Sequence, residues 1–213
     1  MVVSSHDEPF VQVLSRYYAS HNTHTQAEMS IIEEVLPTYF ADQPMHPGIQ
    51  ALSYGETPLQ VATEIFDWAH LKAEEDFVDL GCGCGAVALL AAQRAHRSTG
   101  VDLACASIQF ARAASNVLGV ANAEFHEQDM LKTDLEPFSV IYCCATAVSE
   151  WLALQLSANL PQCRPGTRLI TVSYPLRSDR IKAVYDRPIH LSWGNTRNTK
   201  AWTFYLHYLD SAP

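Results

Sequence analysis

No apolar run in this chain approaches the ~20 residues of a membrane-spanning helix, although 48% of its 213 residues are hydrophobic. A soluble protein with a full core is expected, with no membrane partner. Positive charge is sparse: 14 Lys and Arg stand against 23 Asp and Glu, a net charge of −9, and the basic residues are scattered. Nucleic-acid binding relies on neutralising phosphates, so direct contact with nucleic acid is not expected. The start, Met1-Val2-Val3-Ser4-Ser5-His6-Asp7, has neither the basic nor the apolar region of a secretory signal, which points to a cytoplasmic location. The cysteines at 82, 84, 105, 143, 144 and 163 lack the spacing of a disulfide scaffold and read as reduced, half-buried thiols. His21 and His24 have no Cys or carboxylate partner nearby, so no metal is expected. Internal repeats and low-complexity tracts are absent.

What is present is an alternation of short strands and helices. Phe10, Val13, Leu14, Tyr17 and Tyr18 fall at helical spacing, and Thr25-x-x-Glu28 forms a capping box before Met29, Ile32, Val35 and Leu36, so two helices open the chain. Pro37, Pro44 and Pro47-Gly48 mark an irregular connector. Thr57-Pro58 starts a helix with Thr57 as cap and Leu59, Ala62, Ile65, Phe66 and Ala69 as its apolar face. Strands are expected at 77–80, 99–103, 123–126, 138–144 and 168–174, and helices at 86–96, 106–118 (closed by Gly119) and 149–160. That order implies a parallel sheet with crossover helices. Ile189 to Trp193 and Trp202 to Leu209 have only polar residues between them and read as an antiparallel hairpin at the sheet edge. The domains expected are an N-terminal helical cap, 1–53, and a cofactor-binding domain, 54–213.

The chemistry concentrates in Tyr54-Gly55-Glu56-Thr57 and in Phe77-Val78-Asp79-Leu80-Gly81-Cys82-Gly83-Cys84-Gly85. Glycines 81, 83 and 85 follow an apolar run and precede a helical pattern, so a strand turns sharply into a helix and its backbone can approach a ligand. Gly81, Gly83 and Ala86 also fit a dinucleotide fingerprint. Asp79 argues against that: a carboxylate two residues before the first glycine repels a pyrophosphate, but suits the ammonium of an amino-acid cofactor. Asp102, next to Leu103 where a second strand ends, is placed to accept from ribose hydroxyls. The set reads as a site for S-adenosylmethionine, and titration with NAD discriminates the competing oxidoreductase reading.

Five parallel strands closed by a hairpin resemble the class I methyltransferases, an α/β, Rossmann-like fold with a mostly parallel seven-stranded sheet, here with an N-terminal helical extension. Tyr54-Gly55-Glu56-Thr57, the spacer to Asp79, Leu191-Ser192-Trp193 and Phe204-Tyr205-Leu206-His207 resemble the non-SET lysine methyltransferases of the disruptor-of-telomeric-silencing type. The resemblance covers roughly residues 52 to 210. It implies that Glu56 and Thr57 hold the methionine end of the cofactor, that Asp129 binds the adenine amine and that Met130 stands against adenine. Where that family carries Asn-Asn-Phe-Ala-Phe-Gly, this chain has Cys143-Cys144-Ala145-Thr146-Ala147-Val148-Ser149, so the asparagine amides are missing, and the family's basic nucleosome-gripping segment is missing too. The expected activity is therefore N-methylation of a lysine or other amine in a non-histone protein. The alternatives are a small-molecule acceptor or a catalytically inactive cofactor-binding module. Cys144, Thr146 and Trp193 are expected to border the methyl-transfer site, with Phe204 beside them as a channel wall. The N-terminal aromatics Phe10, Tyr17, Tyr18, Tyr39 and Phe40 are expected to shape a roof over the acceptor.

Overall fold

The computed structural model describes residues 8–21, 55–144, 150–190 and 201–210. The described elements are α1 (Glu8–His21), α2 (Leu59–Trp68), β1 (Asp76–Leu80), α3 (Ala86–Ala91), β2 (Arg97–Asp102), α4 (Cys105–Leu118), β3 (Ala123–Glu127), β4 (Val140–Cys143), α5 (Glu150–Asn159), β5 (Arg168–Val172), β6 (Ile181–Ile189) and β7 (Trp202–Leu209). Short 3-10 turns cover Met130–Lys132 and Leu160–Gln162. The seven strands form one sheet in the order β3-β2-β1-β4-β5-β7-β6. β1 to β5 are parallel, and β7 lies antiparallel between β5 and β6. This is the expected class I methyltransferase architecture.

Strand alternation divides the core between the two faces. Phe77, Val140, Tyr142, Ile170, Phe204 and Leu206 face α1 to α4. Val78, Leu80, Val101, Ile141 and Leu169 face α5 and the Leu135–Phe138 segment. β1 to β3 run outward through α3 and α4 on one face, and β4 to β5 cross through α5 on the other. The direction reverses between β1 and β4, and a crevice opens beyond the carboxyl ends of strands at such a point. Each fully buried Leu, Ile or Phe on these faces contributes roughly 1.5–3 kcal/mol.

α1 forms where helical periodicity places it, but its buried stripe is Val11, Leu14 and Tyr18, with Val13 49% exposed. α2 is capped by Pro58, whose carbonyl accepts from Ala62 N–H at 2.9 Å. Thr57 is therefore not the cap. Its hydroxyl turns inward to Tyr142 instead. α3 ends at Ala91, short of the expected 96, because the chain tightens: Gln93 N–H donates to Leu90 and Arg94 N–H to Ala91, three residues back. α4 closes at Gly119 in the left-handed region, as expected. Arg168, buried in β5, donates to the Ala69 and His70 carbonyls at 2.6 and 2.8 Å and to Glu75, fixing the end of α2 to the sheet.

The antiparallel pair differs from expectation in its first arm. β6 is 181–189, and Ile189 pairs with Trp202. Residues 191–193, expected to be part of that arm, lie outside the described residues, as does the expected helix following Thr25. No described helix is long and apolar enough to cross a membrane.

Candidate functional site

β1 delivers Asp79 to the crevice. Asp79 pairs in register with Gly100 on one side and Tyr142 on the other, and it is 3% exposed. Among the described residues none donates a hydrogen bond to its carboxylate. Burial, with Asp102 nearby, pushes its pKa from 3.8 to about 8.

The glycine turn follows. Gly81, Gly83 and Gly85 have φ of 79°, 51° and 83°, the left-handed region that side chains resist. A Cβ on Gly85 would meet Phe125 at 2.5 Å and Ala111 at 2.8 Å. Phe125 is thus a wedge beneath the turn, and Arg112 holds it by donating twice to the Phe125 carbonyl, at 2.7 and 3.0 Å. The turn is tied to β2 as well: Gly81 and Cys82 N–H donate to the Val101 carbonyl at 2.8 and 3.0 Å.

Asp102 ends β2. It accepts from Gly83 N–H at 2.8 Å and Ala104 N–H at 2.9 Å. Burial raises its pKa while these amides oppose the rise. The carboxylate retains lone pairs for a further donor. Leu103 is half-buried beside it. Asp129 accepts from Leu131 N–H at 2.9 Å and so caps the 3-10 turn at Met130. Met130 reaches the glycine turn: its methyl lies 3.2 Å from where a Cβ on Gly81 would stand.

Thr57 and Glu56 approach from the other side. The Thr57 hydroxyl lies 2.6 Å from that of Tyr142, with both residues buried. Cys144, half-buried at the end of β4, flanks the same phenol, whose pKa is raised by burial and then by that thiol. Glu56 is close enough to Tyr18 of α1 to act on its hydroxyl electrostatically.

The structure therefore gathers Glu56, Thr57, Asp79, Gly81, Gly83, Gly85, Asp102, Leu103, Asp129, Met130 and Cys144 around the carboxyl ends of β1, β2 and β4. Tyr54, Thr146 and Trp193 lie outside the described residues, as do Tyr39 and Phe40. Phe204 is not a channel wall: it is fully buried in the core opposite Val172. His207 is also buried, accepting from Leu176 N–H at 2.9 Å, with its other nitrogen 3.1 Å from the Leu169 carbonyl. It is a sheet residue. Among the N-terminal aromatics, Tyr17 and Tyr18 pack on Phe110 of α4 and Phe10 packs against the core. Sequence reasoning missed Tyr142, Phe125 and the Tyr18 hydroxyl, because their partners are distant in the chain.

Residues 79–182, from the end of β1 into β6, match the family described as the ANTKMT methyltransferase domain. This chain carries a methyltransferase domain. Solved structures of similar fold include an RNA methyltransferase from Salinibacter ruber in complex with S-adenosyl-L-homocysteine, 21% identical, covering 75% of this chain and 97% of that one with a TM-score of 0.59. Others are precorrin 8W decarboxylase from Methanobacterium thermoautotrophicum (19% identical, 73% and 92% covered, TM-score 0.55) and an rRNA methylase from Streptococcus thermophilus (16%, 74% and 99%, TM-score 0.55). Fold and family match agree on a class I methyltransferase, the class whose methyl donor is S-adenosylmethionine.

The residues fit that donor. A buried carboxyl without a hydrogen-bonding neighbour among the described residues, Asp79, suits a cation. The absence of a side chain at Gly81 lets the Met130 methyl come close to the backbone of the turn.

Proposed function

We propose that this chain moves a methyl group from S-adenosylmethionine to nitrogen, on a lysine or other amine of a non-histone protein. The observation that carries the cofactor half is Asp79, a buried carboxyl at the sheet's reversal point beside Asp102, with no donor among the described residues. A cation relieves that arrangement, and the ammonium of a methionine-derived cofactor is one. When bound, the cofactor supplies an electrophilic methyl group on a sulfonium.

The chain's own residues then bind and align. Glu56 and Thr57, with Tyr54 ahead of them, hold the methionine end, and Asp79 balances its ammonium. Asp102 accepts from the ribose hydroxyls, Leu103 lies beside it, and Asp129 and Met130 receive the adenine. The turn at Gly81, Gly83 and Gly85 gives the backbone close approach. Cys144, Thr146 and Trp193 border the acceptor. In-line transfer needs alignment and exclusion of water more than acid-base residues. A lysine acceptor must first shed a proton, which a desolvated channel promotes. The domain division proposed is an N-terminal cap, 1–53, of which α1 is the described part, followed by a cofactor-binding domain, 54–213. A net charge of −9 disfavours direct nucleic-acid contact.

Calorimetric titration with S-adenosylhomocysteine tests the cofactor. Incubation of a cell extract with methyl-labelled S-adenosylmethionine and the protein, followed by separation of proteins from metabolites, tests the acceptor. Methyl-lysine in the protein fraction is the expected result. Label confined to metabolites overturns the protein acceptor, and absence of S-adenosylhomocysteine binding overturns the cofactor reading.

A further inference from the structure

We propose that Tyr18 is a positioning residue for the glycine turn, through which docking of α1 and occupancy of the cofactor site are coupled. The proposal rests on the reading of that turn as the S-adenosylmethionine site.

Most of the turn's hydrogen bonds come from nearby chain. Gly81 and Cys82 N–H reach Val101, Gly83 N–H reaches Asp102, and Gly85 N–H reaches the Cys82 carbonyl at 2.9 Å. The Cys84 carbonyl is held differently. It accepts from the Tyr18 hydroxyl at 2.5 Å, a donor 66 residues upstream on α1. Cys84 stands between Gly83 and Gly85, both with positive φ, so once that bond is gone the peptide carrying its carbonyl is held through the Gly85 N–H to Cys82 and the turn loosens on that side. Taking a donor away from a buried carbonyl is costly, and a shift of the turn is its relief. The Tyr18 hydroxyl keeps the turn in its ligand-ready shape.

The anchor itself is well supported. Tyr18 is 7% exposed on the buried stripe of α1. Its ring stands edge-on to Phe110 of α4, with centroids 5.5 Å apart, and Tyr17 and His21 pack on the same ring at 5.8 and 5.6 Å. Glu56, in the segment before α2, also acts on the Tyr18 hydroxyl. α1 thus touches the glycine turn and senses the Glu56 side of the crevice through one side chain. If docked α1 raises cofactor affinity, the cofactor must stabilise docked α1 by the same factor.

Tyr18→Phe keeps the ring on Phe110 and removes only the donor. The expected result is a roughly five- to tenfold higher Kd for S-adenosylhomocysteine by calorimetry. In the parent, S-adenosylhomocysteine should slow amide hydrogen exchange over residues 8–21, and in Tyr18→Phe that slowing should shrink. A merely structural role lowers the melting temperature but leaves both the Kd of the folded protein and the ligand-dependent slowing at parent values. If Tyr18→Phe does not fold, Phe110→Leu loosens α1 without touching the turn and should weaken binding in the same direction. The proposal is overturned if the parent binds S-adenosylhomocysteine and the folded variant binds it equally well, or if the ligand leaves exchange in α1 unchanged. A parent that does not bind it sinks the cofactor reading beneath the proposal.

Discussion

The hydroxyls of Thr57 and Tyr142 lie 2.6 Å apart in the interior and join the segment ahead of α2 to the carboxyl end of β4. Tyr142 is also the register partner of Asp79, so this bond sets the Glu56-Thr57 segment over the point where the sheet reverses. Removing either hydroxyl takes a buried partner from the other, at a cost of about 1–3 kcal/mol, although the Cys144 thiol stays beside the Tyr142 hydroxyl. Tyr142→Phe and Thr57→Val should each lower stability in urea by that order, while the double variant should lose less than their sum. Strict additivity, within about 0.5 kcal/mol, would show that the two groups do not act as a pair.

The glycine turn admits a comparison within one protein. Gly85 and Gly119 both have positive φ, 83° and 68°. At Gly119 an added Cβ meets nothing within 4 Å, whereas at Gly85 it meets Phe125 and Ala111 below 3 Å. Gly119→Ala should therefore cost about 1–2 kcal/mol for the left-handed backbone alone. Gly85→Ala should add a clash of about 1–3 kcal/mol and weaken S-adenosylhomocysteine binding as well. Equal unfolding midpoints for the two variants would remove Phe125 as the wedge under the turn.

Much of this fold was legible in the sequence because strands buried on both faces read as short apolar runs, and Phe77 to Leu80 and Arg168 to Val172 stand where those runs do. Gly119 closed α4 for the reason glycine usually does. β6 was placed too late because an edge strand needs no apolar pattern. In Ile181 to Ile189 only Ile189 is buried, and Lys182, Asp186 and Pro188 are tolerated where one side of the ladder is open. Thr57 resembled a cap because capping is a local signal, and its actual partner is 85 residues away. A separation of 66 residues from its partner hid Tyr18 in the same way. Nothing local distinguishes a tyrosine that anchors a turn from one that fills a core, and Phe204, expected in a channel, turned out to be the latter. The positions of Asp79, Gly81 and Asp102 at the ends of β1 and β2 were readable because they follow from the strand-turn-helix pattern itself, whereas Met130 was expected only from the family resemblance.

Asp79 makes the ligand-free protein sensitive to pH in a direction opposite to an ordinary paired carboxylate. Its pKa is raised by burial and by Asp102, from 3.8 to about 8. Between those values the unfolded chain has ionised this group while the folded chain still holds the proton, so stability falls as pH rises through the window and levels off above about 8. Below 3.8 both states are protonated and the group contributes no slope. Asp79→Asn removes the titration and should flatten the dependence of unfolding midpoint on pH from 5 to 8. A cationic ligand reverses the preference for the neutral form, so binding of S-adenosylmethionine by the parent should release a proton near pH 7. Calorimetry in two buffers of different ionisation enthalpy reads that proton directly. The variant should release less and bind more weakly, and parent and variant with identical proton release would remove Asp79 from the cation's neighbourhood.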